Sequence, residues 1–283
     1  MKILVTGANG YIGRHVVKAL LDAGVEVIAC DMHVDDIDSR AERIALNLFT
    51  LPEGNIYEIL GSPDACLHMA WRNGFVHNAP TQMGDISAHF NFLTAMIDGG
   101  LKQLAVMGTM HEVGYWEGAI DENTPCNPIS MYGIAKDSLR RAMKLYTEQK
   151  GCILQWLRCY YILGDDKKNN SIFCKLLCAA EEGKKTFPFT TGKNKYDFIL
   201  VDNLAKLISA CVMQNQVNGI INCCTGKPIS LAEKVEEFIK EHNLDIKLDY
   251  GAFPDRPYDS PCTYGDPEKI NKIMCNEKNI IFD

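Results

Sequence analysis

The chain has 283 residues, 47% hydrophobic and 23% charged, with no long polar tract, which suits a globular protein with a sizeable core and excludes extended disorder. A formal net charge of −7, with no Lys/Arg run longer than a pair such as Lys167-Lys168, argues against a nucleic-acid or membrane-surface partner. The first apolar run follows Met1-Lys2 directly and none approaches membrane-spanning length, so neither a leader peptide nor a span is expected and the expected location is cytoplasmic.

Along the chain, short β-rich runs alternate with helical patterns. Strands are expected over residues 3–6, 25–30, 65–69, 103–107 and 153–158, with helices from about Tyr11, over 87–97 and over 132–149. Such alternation predicts an α/β fold, a doubly wound parallel sheet with helices on both faces. After Gly164 it loosens into a helix over about 172–182 and a loop rich in Gly, Lys and Thr through Lys195. Asp202 is expected to cap a helix reaching Met213, and Ser230-x-x-Glu233 reads as a capping box opening another through Lys240. The division expected is a dinucleotide-binding domain over 1–164, joined by 197–225, and a small substrate-binding lobe made of 165–196 and 226–283.

The twelve cysteines sit mostly singly in apolar stretches, as Cys66, Cys152, Cys159 and Cys211 do, with no C-x-x-C pair. Buried free thiols are expected, and no metal site.

Directly after the first strand comes Thr6-Gly7-Ala8-Asn9-Gly10-Tyr11-Ile12-Gly13. Glycines three apart at a strand-to-helix turn let backbone N–H groups approach a pyrophosphate, where the helix dipole favours negative charge. Gly7, Asn9, Gly10, Tyr11, Ile12 and Gly13 are therefore candidate cofactor contacts. Asp31 ends the next strand about twenty residues later, where a carboxylate can accept from the adenosine ribose hydroxyls; this favours NAD. Arg14 is the competing feature, able to pair with the 2′-phosphate of NADP.

Tyr132-Gly-Ile-Ala-Lys136 opens a long helix, and the four-residue spacing puts phenol and ammonium on one face. Thr109 lies at the carboxyl end of the strand over 103–107, beside the crevice where such sheets bind ligands. Thr109 could hold a substrate oxygen, Tyr132 could move its proton, and Lys136 could hold a cofactor ribose while stabilising phenolate. A packed tyrosine, a surface lysine and a buried threonine are the plain alternatives.

With LRCYYILG over 157–164, YDFILVDNLA over 196–205 and RPYD over 256–259, these motifs make the chain resemble the extended short-chain dehydrogenases. That group has a Rossmann-type fold and includes nucleotide-sugar epimerases, 4,6-dehydratases and 4-keto-sugar reductases. The resemblance implies that Asn47 and Leu48 lie near the adenine, that Ala70 lines the cofactor channel, that Arg256 binds the nucleotide diphosphate, and that the chain forms a homodimer. It also implies a nucleotide-sugar substrate, with His111 and Tyr161 as candidate contacts.

Several positions depart from the group. Asp85 and Tyr161 stand where many members have Asn, Tyr196 where some have a phosphate-binding Arg, and Met110-His111 where dehydratases carry acids. The expected activity is reduction at C4 of a dTDP- or GDP-linked 4-keto-6-deoxyhexose, or the reverse oxidation. The alternatives are a C4 epimerase and a non-catalytic nucleotide sensor of the same fold.

Overall fold

The computed structural model describes residues 1–164, 171–255 and 259–280. In chain order β1 (Lys2–Thr6) leads into α1 (Tyr11–Asp22), then β2 (Glu26–Asp31), β3 (Glu42–Ala45), the short α2 (Ile56–Ile59) and β4 (Ala65–His68). A one-turn α3 (Thr81–Gly84) and α4 (Ile86–Gly99) precede β5 (Gln103–Thr109), whose end turns into a 3-10 helix over Met110–Glu112. Next come β6 (Gly118–Ile120), α5 (Met131–Lys150), β7 (Ile153–Cys159) and β8 (Tyr161–Leu163). The remainder runs through α6 (Ile172–Glu181), β9 (Thr186–Pro188), β10 (Lys195–Leu200), α7 (Val201–Val212), β11 (Gly219–Cys223), β12 (Pro228–Ser230), α8 (Leu231–Glu241), β13 (Lys247–Asp249), β14 (Cys262–Gly265) and α9 (Glu268–Ile280).

Seven parallel strands form the main sheet in the order β11-β7-β5-β4-β1-β2-β3, the doubly wound Rossmann-type arrangement that the alternation predicts. Its two faces are read directly from the period of two along each strand. Ile3, Val5, Val27, Ala29, Ala65 and Leu67 pack with Val16, Val17 and Leu20 of α1 and with Leu204 and Ile208 of α7. Leu4, Ile28, Cys30 and Cys66 point the other way, onto Phe92, Leu93 and Met96 of α4 and Leu139 and Met143 of α5. The order of strands reverses between β1 and β4, so their carboxyl ends frame the crevice.

A second sheet, β12-β10-β14-β6, with β8 paired to β10, stands above those carboxyl ends. Behind it Phe173, Leu176, Phe189, Phe198, Val235 and Phe238 make a separate core. Its strands come from both sides of Gly164, because β6 and β8 precede that residue. The fully buried Asp197 on β10 ties the pieces together: its carboxylate accepts from Thr225 N (2.9 Å), Thr225 Oγ1 (2.6 Å), Gly226 N (2.8 Å) and Gly265 N (3.3 Å).

Ser230 and Glu233 form the expected capping box, Glu233 N donating to Ser230 Oγ at 3.1 Å and Ser230 N to Glu233 Oε2 at 3.2 Å. Asp202 is a correction. Leu200 occupies the N-cap of α7 without a side-chain bond, and Asp202 sits in the first turn with Oδ1 2.6 Å from His15 Nδ1 on α1. The segment expected as a loop before Lys195 contains β9, and the charged edge strand β3 has no counterpart in the sequence reading. Cys66, Cys152, Cys159 and Cys211 are free and buried, as expected. Among the described residues no helix is long and apolar enough to cross a membrane, and no group of three or more His, Cys, Asp or Glu is placed to hold a metal.

Candidate active site

The turn after β1 is shaped by close backbone approach. Gly7 has φ of 70°, and a Cβ there would lie 2.6 Å from Ala70 N, so the loop touches the chain emerging from β4. A Cβ on Gly13 would lie 2.2 Å from Gly7 O. Gly10 is the N-cap of α1 and lends no side-chain bond, and no acid stands in the first turn, so the helix offers uncapped N–H groups and the positive end of its dipole. Asn9 Oδ1 is buried with no hydrogen-bond partner among the described residues. A group with phosphate oxygens and donors nearby fits this cradle, as the dinucleotide reading requires.

Asp31 is fixed at the end of β2. Its carboxylate accepts from Asn9 N at 3.0 Å and from Met32 N at 2.7 Å, which ties it to the glycine turn. Arg14 Nη1 donates to Asn9 O at 3.1 Å, so it too is engaged with the turn. Asn47 and Leu48 follow β3 beside Asp31, whose carbonyl accepts from Leu46 N at 2.9 Å. Asn47 is exposed and accepts from Phe49 N, whereas the Leu48 side chain packs into the core beneath. Ala70 lies against the glycine turn, and its N–H donates to Thr6 Oγ1 at 3.4 Å.

A cavity of about 960 Å³ runs from Tyr11 and Ile12 at the start of α1 to Phe187, Phe189 and Asn194 under the second sheet. Thr109, His111, Tyr132, Lys136 and Tyr161 all line it. Thr109 is the last residue of β5, not the residue beyond it, and the N-cap of the 3-10 helix; its hydroxyl accepts from His111 N at 3.3 Å. Tyr132 stands at the start of α5, where Ser130 caps the helix by accepting from Gly133 N. Burial raises the pKa of the Tyr132 hydroxyl, an effect that the neighbouring Thr109 hydroxyl opposes.

Lys136, one turn on, is almost completely buried and donates to Met107 O at 2.7 Å. Burial pushes its ammonium down to about 7, against the opposing pull of the Glu112 carboxylate and Cys159. Glu112 itself does not line the cavity. It is fully buried, accepts from Thr109 N and Trp156 Nε1 at 2.8 Å each, and lies 3.5 Å from the Arg158 guanidinium. It braces the loop that carries Thr109 and has no free path to a ligand.

The loop leaving β4 brings in residues that sequence reasoning missed. His77 stacks on Tyr132 with ring centroids 5.3 Å apart and planes 14° apart, and its carbonyl accepts from Tyr132 N at 2.8 Å. His111 meets His77 edge-on at 4.4 Å, and burial lowers its imidazole to about 4. Trp71 lies over Lys136, the Nζ 3.8 Å from the ring centroid. The available signal was their place after the carboxyl end of a strand beside the sheet's switch point. Tyr161 packs on Tyr196 at 4.2 Å, aromatic on aromatic. Asp85 pairs with Arg72 through bonds of 2.8 and 2.6 Å. Arg256 lies outside the described residues.

Comparison with known proteins gives a consistent picture. The NAD dependent epimerase/dehydratase family matches residues 3–224. A dTDP-6-deoxy-L-talose 4-dehydrogenase (NAD(+)) from Aggregatibacter actinomycetemcomitans is 46% identical over 269 residues, covering 94% of this chain and 99% of that protein. A GDP-6-deoxy-D-talose 4-dehydrogenase from the same organism is 24% identical, covering 98% of this chain and 92% of that protein. Among solved structures, the UDP-N-acetylglucosamine 4-epimerase of Methanobrevibacter ruminantium M1 superposes with a TM-score of 0.82 at 22% identity, over 96% of this chain and 91% of that one. That likeness is one of fold.

Proposed function

The chain belongs to the NAD dependent epimerase/dehydratase family, and from that premise we propose that it is an NAD-linked C4 dehydrogenase of a dTDP-6-deoxyhexose, interconverting the C4 alcohol and the 4-ketone. Coarsely, it is an NAD-dependent enzyme of nucleotide-sugar C4 chemistry. The observation that carries the finer reading is the 46% identity, over nearly the whole of both chains, to a dTDP-6-deoxy-L-talose 4-dehydrogenase. The buried Glu112 and the absence of an acid at Met110 or His111 speak against elimination of water.

The dinucleotide would rest on Gly7, Asn9, Gly10, Tyr11, Ile12 and Gly13, with its adenosine ribose at Asp31, Asn47 and the Leu48 backbone alongside, and Ala70 under the channel. Bound NAD supplies the acceptor for the hydride leaving C4, or its donor in reverse. Thr109 would hold the C4 oxygen by hydrogen bond and Tyr132 would take or return the proton on that oxygen. The burial that raises the Tyr132 pKa makes a neighbouring positive charge necessary, and Lys136, one turn along the helix, supplies it while holding the nicotinamide ribose. Because Asp31 already faces the turn, a 2′-phosphate there meets like charge, which favours NAD over NADP.

We assign the cofactor half to 1–164 with 197–225 and the substrate lobe to 165–196 with 226–283, His111, Tyr161 and Arg256 being the sugar-nucleotide contacts. Exposed Met131, Ile134 and Leu145 on α5 support pairing with a second copy. The test is incubation of purified protein with dTDP-6-deoxy-L-talose and NAD, following NADH formation, and with dTDP- and GDP-4-keto-6-deoxyhexoses and NADH, following product stereochemistry. NADH formed in step with a 4-keto product supports the reading. Interconversion of C4 epimers with no net change in NADH replaces it with an epimerase, and cofactor binding without turnover of any nucleotide sugar replaces it with a sensor.

A further inference from the structure

Among the described residues the buried Lys136 ammonium donates to Met107 O, and its second neighbour is not an oxygen but the face of an indole. Trp71 is itself held firmly. Its Nε1 donates to Gln82 Oε1 at 2.7 Å, and the buried Gln82 amide in turn donates to Asn73 O at 2.8 Å and Val76 O at 3.2 Å, pinning the loop that carries the indole. His89 stacks on the indole at 4.5 Å with planes 8° apart, and its Nδ1 lies 3.0 Å from His68 Nε2. His68 Nδ1 then reaches Thr6 Oγ1 at 2.8 Å, at the root of the glycine turn. The perch under Lys136 is thus continuous with the turn that shapes the cofactor cradle.

We propose that Trp71 is a positioning residue for Lys136, its indole face holding the ammonium on the cavity wall one helical turn from Tyr132. An aromatic face attracts a cation through its quadrupole and most strongly where water is excluded, so it favours the charged amine over the neutral one. The groups facing Lys136 are Glu112 from the 3-10 helix, Cys159 from β7, His68 from β4, His89 from α4 and Tyr132 on its own helix. Glu112 and Cys159 raise its pKa, whereas burial and any charge on the two imidazoles lower it. Burial also keeps those imidazoles neutral, lowering His89 to about 3, so they add no competing charge at neutral pH.

The consequence for catalysis rests on the role given to Lys136 above; the perch itself does not. It is tested by ¹³Cε NMR titration of lysine-labelled full-length protein, the Lys136 signal being assigned by its loss in Lys136→Met. The wild-type midpoint is expected near 7. Trp71→Leu, which fills space without a π face, should lower it by about one pH unit, and Trp71→Phe by about half as much. The alkaline limb of kcat should move down in parallel, since the charged amine is lost at lower pH. If Trp71→Leu does not fold, Trp71→Phe decides alone. A midpoint within about 0.2 unit of wild type in the folded variants overturns the proposal, whatever their activity. Full activity in Lys136→Met would instead overturn the role given to Lys136 and leave the titration result standing.

Discussion

Acidification should unfold this protein through three imidazoles, His68, His89 and His111, well before its carboxylates protonate. His68 and His89 are each 1% exposed, bonded to one another and held neutral, burial being the main cause in both; His89 is lowered to about 3 and His68 lies well below its usual 6.5. Below pH 6.5 the unfolded chain takes up protons on these two and on His111, which burial lowers to about 4, while the folded chain does not, so stability rises with pH across that range and falls as pH drops. At pH 5, about 1.5 units below the unfolded value, each imidazole costs about 2 kcal/mol, or about 6 kcal/mol together. That is a large part of the 5–15 kcal/mol typical of a domain. Carboxylates held low by cations, such as Asp38 at about 2, lose their contribution only below about pH 4, so the window from 6.5 to 5 isolates the histidines. Urea unfolding should show stability already falling from pH 8 to pH 7, where Lys136, its ammonium lowered to about 7, is protonated in the unfolded chain and not in the folded one, and below pH 6.5 a slope approaching about 4 kcal/mol per unit from the three imidazoles. In His89→Phe, which keeps a ring on Trp71, the slope should fall by about 1.4 kcal/mol per unit. An unchanged slope in that variant would refute the reasoning.

Tyr132→Phe should lower turnover about 10²- to 10⁴-fold while leaving NAD affinity, read by fluorescence titration, within about twofold; more than about a tenth of wild-type activity would remove Tyr132 from the proton transfer. Wild-type protein should prefer NAD(H), and Asp31→Ala should narrow the ratio of kcat/KM between NAD(H) and NADP(H); equal efficiency with NADPH in the wild type would give the pocket to Arg14. Gly13→Ala, whose Cβ would meet Gly7 O at 2.2 Å, should abolish NAD binding, and calorimetry showing near-native affinity would contradict the cradle. Glu112→Ala leaves Arg158 buried beside an empty site and should cost about 3–5 kcal/mol in urea unfolding; a loss below about 1 kcal/mol would show that Glu112 does not brace the loop.

What could be read from the sequence was what local chemistry decides. The glycine turn, Asp31 at a strand end, and Tyr132 with Lys136 one helical turn apart need only a strand, a turn and a helix to fall into place. The box at Ser230 and Glu233 is equally local, and it formed as expected. Asp202 failed as a cap because a partner 187 positions away, His15, meets its carboxylate in the folded chain. The strand Glu42–Ala45 escaped notice because an edge carrying Glu42 and Arg43 needs no apolar alternation. The place of Trp71 and His77 after the carboxyl end of β4 puts their loop beside the crevice, but nothing in the loop itself says which of its side chains turn into the cavity. That direction is set by Gln82, just past the loop's end, and by the packing of α5, which is distant from it in sequence.

Asp197 limits how this protein could be rebuilt. A single carboxylate, fed by donors from two separate stretches of chain, makes the upper sheet inseparable from the lower one. A chimera that takes its sugar-binding part from a relative by cutting at residue 226 would sever Asp197 from Gly226 and Gly265 unless the donor chain supplies the same hydrogens. Exchange confined to the loops rimming the cavity, above this junction, leaves the clasp whole. The same wiring explains how specificity could drift in such a scaffold without loss of the fold: the rim is free to vary, and the joint beneath it is not.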